Sequence, residues 1–229
     1  MDRRFDVPLY TRAEVALQLG LPATTLGDWL RSGALEAVSG GRGEPTITFA
    51  GLVETHMLRH LRHAGLSLQA IGEAAIALRS RAGRRYPLAW SGLAHDGRDL
   101  LIEIAAEGRD QGWERIRDSQ GGLPGVLRRG SAAIGWSDDG YAGTLRLVIY
   151  HDIDVIVDPE KAHGQPIVEG SDVHVEDVVD HVRTGSSYRE IATKFGLEDF
   201  EVEALVRPHI RPPAFRKARH PQSQTEALL

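Results

Sequence analysis

Residues Tyr10–Arg31, YTRAEVALQLGLPATTLGDWLR, decide the fold of the N-terminal part of the chain. Thr11 and Glu14 have the spacing of a helix capping box, and the apolar residues after them predict a short helix that stops at Gly20. Pro22 occupies the tolerated first turn of a second helix of about three turns. Two such helices joined by a sharp turn predict a helix-turn-helix, the motif that places side chains in the major groove of DNA.

The second helix of this motif is amphipathic. Leu26, Trp29 and Leu30 form its inward face, which leaves the opposite face free to enter the groove. The predicted DNA-contacting residues on and around that face are Thr11, Arg12, Thr24, Thr25, Asp28, Arg31 and Arg42. A solvated helix face is the alternative interpretation, and a carboxylate at Asp28 repels phosphate unless it accepts a hydrogen bond from cytosine.

The residues after the motif predict a wing and two longer helices. Residues 39–49, SGGRGEPTITF, combine a Gly-rich tip with β-favouring flanks, which predicts a two-stranded wing with Arg42 at its apex. Amphipathic patterns then predict helices over 49–62 and from 67 to about 78.

Two groups of residues in the sequence could serve as metal ligands. The first has helical spacing and comprises His56, His60 and His63. No Cys or carboxylate ligand is predicted nearby, so we favour an exposed basic face near the DNA backbone over a metal site. The second group lies in an extended segment and comprises Asp152, Asp154 and Asp158. We favour turn and cap hydrogen bonds there over magnesium binding, and we predict no metal and no cofactor.

The central and C-terminal residues have different patterns. Residues 87–105, PLAWSGLAHDGRDLLIEIA, predict strand, turn and strand, and residues 141–150 alternate as a further strand, so the centre is predicted to be a small β-rich connector. Three short helices are predicted over 175–183, 188–195 and 200–206. Ser187 and Glu190 have the spacing of a second capping box.

The two helical ends of the chain differ in the sign of their net charge. Residues 1–87 hold 11 Lys or Arg against 8 Asp or Glu, residues 88–152 hold 7 against 10, and residues 153–229 hold 9 against 14. Because DNA affinity depends on cations that neutralise phosphates, only the first segment has the expected sign. The acidic C-terminal helices are therefore predicted to bind protein or to dimerise.

Composition excludes several classes of protein. The chain has no Cys, which excludes disulfides and thiolate chemistry. We find no signal peptide and no apolar run long enough to span a bilayer, so we expect a soluble cytoplasmic protein that does not enter membranes. No nucleophile motif, phosphate-binding Gly loop or diagnostic acid–base pair is present, and we predict that the protein is not an enzyme.

About the first 80 residues resemble the MerR-type winged helix. The resemblance depends on the Tyr-Thr start, the G-L-P-x-x-T-L turn and the F-x-x-L-x-x-x-x-x-L-R-x-x-G-L-S-L-x-x-I closing pattern. The long dimerising coiled coil and the metal-binding cysteines of the metal-sensing members are missing. The resemblance therefore implies DNA binding and does not imply metal sensing.

About 55 C-terminal residues closely resemble the bacterial domain of unknown function 433. The chain has its D-P-x-x-x-x-G-x-P lead at 158–166 and its G-x-S-x-x-E-I-A-x-x-F-G-L body at 185–197. A MerR-like head, a β-rich centre and this domain together resemble a VapB-like antitoxin. That resemblance implies a type II toxin–antitoxin pair, in which a homodimeric antitoxin blocks a PIN-domain ribonuclease toxin and binds its own operator DNA as a repressor.

The last residues, 211–229, are Pro-rich, polar and basic, and they cannot bury enough surface to fold alone. We predict that this tail becomes ordered on the toxin, with a phenyl ring in a pocket and an arginine in the acidic metal site of the nuclease. The predicted toxin-binding residues are Arg211, Phe215, Arg216, Lys217 and Arg219. A simple disordered terminus is the alternative.

The fold class predicted from these observations is α+β, mainly α. We expect a winged helix-turn-helix over 1–86, a β-rich connector over 87–152, a three-helix, helix-turn-helix-like domain over 153–210 and a flexible tail over 211–229. Two rival functions remain: a one-component MerR-like regulator that senses a small ligand in its centre, and an interaction module whose helix-turn-helix only oligomerises.

Overall fold

A computed structural model of the chain describes residues 1–41, 43–104, 112–119, 128–129 and 131–210. In these residues the fold is mixed α+β, as predicted, with eight α-helices and three small antiparallel sheets. The helices are α1 (Arg3–Asp6), α2 (Arg12–Gln18), α3 (Ala23–Arg31), α4 (Phe49–His63), α5 (Leu68–Ala82), α6 (Val175–Arg183), α7 (Tyr188–Phe195) and α8 (Asp199–Ile210). The strands are β1 (Pro8–Tyr10), β2 (Ile47–Thr48), β3 (Leu93–His95), β4 (Leu100–Ile104), β5 (Gly112–Arg115), β6 (Arg128–Arg129), β7 (Ile134–Trp136), β8 (Ala142–Arg146), β9 (Val155–Val157) and β10 (Ile167–Val168).

Side-chain caps start α2, α4 and α5 of the N-terminal unit, whereas α3 begins after Pro22 without one. The Thr11 amide donates to Glu14 Oε2 at 2.7 Å and the Glu14 amide donates to Thr11 Oγ1 at 3.2 Å, which completes the predicted capping box of α2. Thr48 and Ser67 cap α4 and α5 with one side-chain hydrogen bond each, accepted from the amides of Gly51 and Ala70. The two predicted longer helices are present, and α5 runs on to Ala82.

The predicted two-stranded wing takes a different form. Within residues 39–41 and 43–49, β2 is the strand that forms. It pairs with β1, which precedes the helix-turn-helix in the chain. Tyr10 and Ile47 are 0% and 1% exposed, so this pairing buries apolar surface that a wing strand would leave in solvent. Hydrogen bonds join the two sides of the loop, among them one of 2.8 Å from the Val38 amide to the Thr46 carbonyl and one of 3.3 Å from the Glu44 amide to the Gly41 carbonyl.

The centre contains the predicted hairpin. Strands β3 and β4 pair antiparallel, and Asp96 closes their turn by accepting hydrogen bonds of 2.8 Å from the amides of Arg98 and Asp99. The preceding residues Pro87–Ala89 form a 3₁₀ turn instead of the predicted strand, because Pro87 supplies no amide proton for a strand ladder.

The second four-stranded sheet has the order β10-β9-β8-β7. Its central pair joins Leu145 to Val157, and both side chains are fully buried. The strand predicted over 141–150 is shorter than expected, because the chain turns after β8 with the Tyr150 amide donating to the Leu147 carbonyl. The predicted boundary at residue 152 runs through this sheet, between two paired strands.

Helices α6 and α7 have the predicted bounds, and α8 begins at Asp199 and extends to Ile210, beyond the predicted 206. Ser187 and Glu190 form the second capping box. The three helices pack through Val178, Ile191 and Val202, each at most 1% exposed. No helix in the described ranges is both long enough and apolar enough to cross a membrane.

Candidate nucleic-acid interface

Helix α3 is the candidate recognition helix, and its two faces differ as predicted. Leu26 and Trp29 are buried, at 1% and 7% exposed, and Leu30 packs against the same core. Thr24, Asp28 and Arg31 are exposed on the other face, and Thr25 is half-buried. The exposed side chains form a polar strip about two turns long, on the face of the helix that the sequence predicts to contact DNA.

Arg31 and Asp28 form an ion pair on this strip. Their side chains are 74% and 63% exposed, so the pair is solvated on both sides. An exposed pair of this kind contributes at most about 1 kcal/mol, and its charges cancel at a distance. The polar face of α3 is therefore close to neutral in the free protein, and Arg31 can exchange Asp28 for a phosphate at low cost.

The N-terminus of α2 offers one cation. Arg12 is exposed and forms no ion pair with any residue in the described ranges. Thr11 is half-buried, and its hydroxyl and amide are both used in the capping box with Glu14. Because the Glu14 carboxylate occupies the positive end of α2, Arg12 is better placed than Thr11 to contact a phosphate. Arg42, the remaining predicted contact, lies outside the described residues.

Two arginines that sequence analysis did not single out hold the ends of the helix-turn-helix. Arg59 of α4 donates to the Leu19 carbonyl at the end of α2. Arg79 of α5 donates to the carbonyls of Gly33 and Ala34, just after α3, at 3.1 and 3.2 Å. Both guanidinium groups are thus used inside the protein, and the positive charge of residues 1–87 overstates what faces solvent.

Glu54 completes the network behind α3. Its carboxyl group is 0% exposed, accepts a hydrogen bond of 3.0 Å from the Leu88 amide and pairs with Arg79 at 3.3 Å. Burial raises the pKa of Glu54 to about 7, against the opposing attraction of Arg79. A single buried carboxyl group therefore connects α4, α5 and the 3₁₀ turn at Pro87–Ala89.

The histidines of α4 are not the exposed face that we predicted. His56 is 6% exposed and its Nε2 lies 2.8 Å from Ser131 Oγ, a partner 75 residues away that no local pattern could indicate. Burial lowers the pKa of His56 to about 4. His60 is half-buried and His63 is exposed. The described residues contain no group of three or more side chains that could hold a metal ion.

The three carboxylates of residues 152–158 have separate partners. Asp152 pairs with Arg207 at 3.5 Å and Asp154 pairs with Arg146 at 3.4 Å. Asp158 accepts a hydrogen bond of 2.9 Å from the Glu160 amide, the turn contact expected for it. These contacts tie the chain after β8 to its neighbours and do not gather the carboxylates around one point.

The surface of the C-terminal helices is acidic. Glu176 and Asp180 share Arg183 at 2.8 and 2.9 Å, and further carboxylates line α7 and α8. Two apolar side chains on α8 stand among them, Phe200 at 57% and Ile210 at 58% exposed. Such a surface repels phosphate and suits a basic protein partner. The predicted toxin-binding residues of 211–229 lie outside the described residues.

The chain is similar in sequence to known proteins. Residues 155–207 match the family described as "Protein of unknown function (DUF433)", which confirms the resemblance seen in the sequence. A protein of Mycobacterium tuberculosis (strain ATCC 25618 / H37Rv) described as "Putative antitoxin VapB45" is 30% identical over 223 residues, 86% of this chain and 92% of that protein. "Uncharacterized protein Rv2308" from the same strain is 29% identical over 217 residues, 88% of this chain and 90% of that protein.

One solved structure has a similar fold. The X-ray crystal structure of Rv2018 from Mycobacterium tuberculosis matches with a TM-score of 0.64 and 26% sequence identity. The match covers 89% of this chain and 99% of that chain. The similarity therefore includes the N-terminal helices and the central sheets as well as the C-terminal unit.

Proposed function

Because the chain belongs to the family of the mycobacterial protein described as "Putative antitoxin VapB45", we propose that it is the antitoxin of a type II toxin–antitoxin pair. Its partner is a PIN-domain ribonuclease toxin, which it neutralises. Its N-terminal helix-turn-helix binds operator DNA, and as a homodimer it represses its own operon.

One observation carries this proposal: the 30% identity covers 92% of the relative's length. A match confined to residues 155–207 would support only a shared C-terminal module. Similarity across the α2–α3 pair, the sheets and α6–α8 supports a shared combination of DNA-binding and partner-binding parts.

The DNA-binding half of the proposal is supported by exposure and charge. The polar face of α3 is free, Arg12 is unpaired within the described ranges, and residues 1–87 carry the positive balance of the chain. The acidic α6–α8 surface would oppose a second DNA contact. We therefore assign DNA binding to α2 and α3 alone.

The toxin-binding half rests on the C-terminal unit and the basic segment 211–229. The acidic surface with Phe200 and Ile210 suits a basic protein, whereas the arginines of the segment suit the carboxylates of a nuclease metal site. Removing residues 211–229 should reduce inhibition of the toxin, measured as residual RNA cleavage. Undiminished inhibition by the truncated chain would show that the segment is not the inhibitory element.

The central test is co-expression with the protein encoded by the adjacent open reading frame. We expect a stable complex, loss of ribonuclease activity in it, and a mobility shift on the upstream DNA that weakens with salt. A neighbouring protein that is not a nuclease, or that does not co-purify, would contradict the proposal.

A one-component regulator that senses a small ligand remains the second candidate. A cavity of about 410 Å³ between α5 and the β3–β4 hairpin favours it, with Ala70, Leu100 and Ile116 in its walls. Such a regulator would purify without a partner and would change its DNA affinity when the ligand is added. The same co-expression experiment therefore separates the two functions.

A further inference from the structure

A second, smaller cavity lies where the helix-turn-helix meets the C-terminal helices. Its volume is about 200 Å³. Gln18 from the end of α2 forms one wall, His174 and Asp177 from the start of α6 form another, and Tyr150 and His209 close the far side. The cavity is thus built by three separate parts of the chain.

Gln18 is the residue that points to a ligand. Its side chain is 5% exposed, and its Oε1 atom is buried without a hydrogen-bond partner in the described part of the chain. Buried amide oxygens in folded proteins nearly always accept a hydrogen bond, because losing water without replacement is costly. A hydrogen-bond donor inside the cavity would satisfy Gln18 once the side-chain amide turns toward it.

The charges around the cavity decide what kind of donor fits. Three acidic residues, Glu14, Glu176 and Asp177, are among those that line it, and its described lining residues include no Lys or Arg. Glu176 pairs with Arg183, and Glu14 caps α2, so Asp177 is the carboxylate left without a partner among described side chains. Because Arg183 offsets the charge of Glu176, the carboxylates of Glu14 and Asp177 are the ones that oppose the partial positive charge at the start of α6, where His174 provides no side-chain cap.

The wall of the cavity formed by Tyr150 and His209 does not repel a cation. Tyr150 Oη and His209 Nε2 lie 3.0 Å apart. Burial is the main cause that lowers the pKa of His209, and it favours the neutral imidazole. Arg183, whose charge also lowers the pKa of His209, is not among the residues that line the cavity.

We propose that this cavity binds a small organic cation, an alkyl ammonium or alkyl guanidinium, whose N–H group donates to Gln18 Oε1 while Asp177 balances its charge. The volume suits one such head group with a short alkyl chain. Because Gln18 ends the first helix of the helix-turn-helix, the ligand would touch the DNA-binding unit and the C-terminal unit at once. The inference does not depend on the antitoxin proposal, and its failure would leave that proposal unchanged.

The test uses the full chain and three probes of nearly equal shape: butylguanidinium, butylammonium and neutral butylurea, each up to low millimolar concentration. Binding is followed by amide chemical shifts in NMR. We expect saturable shifts at Gln18 and Asp177 with a cationic probe, and binding of butylurea that is at least about tenfold weaker, as expected for a charge-assisted contact. The absence of saturation with both cations, or equal binding of butylurea, would overturn the proposal.

Three variants locate the site. Gln18→Met keeps the length of the side chain and removes the acceptor, and Asp177→Asn keeps the shape and removes the charge. Each should weaken the binding of the cationic probes by about three- to tenfold. Glu160→Gln, an exposed carboxylate outside this cavity, is the matched control and should leave the affinity unchanged. If Gln18→Met does not fold, Asp177→Asn decides alone, and equal affinity of that variant and the control would contradict the assignment.

Discussion

The phenol of Tyr10 donates a hydrogen bond of 2.7 Å to the carbonyl oxygen of Gly164, 154 residues further along the chain. Tyr10 ends the strand in front of the helix-turn-helix, and Gly164 is the glycine of the D-P-x-x-x-x-G-x-P motif. Gly164 has a φ of 78°, and a Cβ atom there would lie 2.8 Å from Leu9 Cδ1 and 2.9 Å from Tyr10 Oη. The motif glycine thus serves close packing between the N-terminal and C-terminal parts of the chain.

We predict that Gly164→Ala lowers the free energy of unfolding by about 2–4 kcal/mol, because it combines a left-handed backbone with a steric clash. Thermal and denaturant unfolding would measure the loss. Gly170→Ala is the matched control, since Gly170 has a φ of 80° but no atom near its missing Cβ. It should cost only about 1 kcal/mol. Equal losses of unfolding free energy in the two variants would show that the close contact with Tyr10 does not contribute to stability.

Changes at the Asp28–Arg31 pair should move DNA affinity in opposite directions. Arg31→Ala should weaken binding by about tenfold and reduce the slope of log affinity against log salt by about 1. Asp28→Asn should strengthen non-specific binding, because it frees Arg31 and removes a negative charge from the helix face. A salt series of mobility shifts measures both effects.

The control for these DNA-binding variants is Arg183→Ala. Arg183 is also exposed and also pairs with carboxylates, but it lies on α6. We expect its removal to leave DNA affinity nearly unchanged. A loss as large as that of Arg31→Ala would place the DNA contact in the C-terminal helices.

Glu54 should make stability fall as pH rises. Its folded-state pKa of about 7 lies above the ordinary value of 4.5, so the folded protein holds a proton that the unfolded chain releases between these pH values. The contribution from Glu54 therefore decreases from pH 4.5 to pH 7, by up to about 3 kcal/mol. Glu54→Gln should remove this decrease in unfolding free energies measured across the range. A variant whose pH profile matches that of the wild type would refute the assignment.

His56 should make stability fall as pH falls, opposite to the effect of Glu54. Its folded-state pKa of about 4 lies below the ordinary 6.5, so the unfolded chain binds a proton first and stability is lost as pH falls from 6.5 to 4. His56→Gln should reduce that acid sensitivity in the same measurement. Because the windows of Glu54 and His56 overlap with opposite slopes, the wild type should be flatter than either variant between pH 4.5 and 6.5. A wild-type slope steeper than both variants would contradict this compensation.

Features of the structure that depend on neighbouring residues were predictable from the sequence. The capping boxes at Thr11 and Ser187 set the starts of α2 and α7. Gly185 and Gly196 follow the C-terminal ends of α6 and α7. These signals act within a few residues, so no knowledge of tertiary packing is required.

Features that depend on distant partners were missed or misjudged. The residues of the predicted wing pair with β1 because Ile47 and Tyr10 bury each other, and His56 is buried beside Ser131. Arg59 and Arg79 entered the sequence analysis only as part of the positive charge of residues 1–87, but each donates to a carbonyl more than 35 residues away. Residue type and spacing show which groups are charged, whereas only tertiary contacts show which charges remain available.

The pairing of β8 with β9 has a practical consequence for cutting the chain into parts. A C-terminal fragment that begins near residue 153 would keep β9 and β10 and lose β8, leaving the backbone donors and acceptors of Val155–Val157 exposed along one edge. An open, apolar strand edge pairs with strands of other molecules. Such a fragment would therefore self-associate or swap strands, and a soluble fragment should begin before β7.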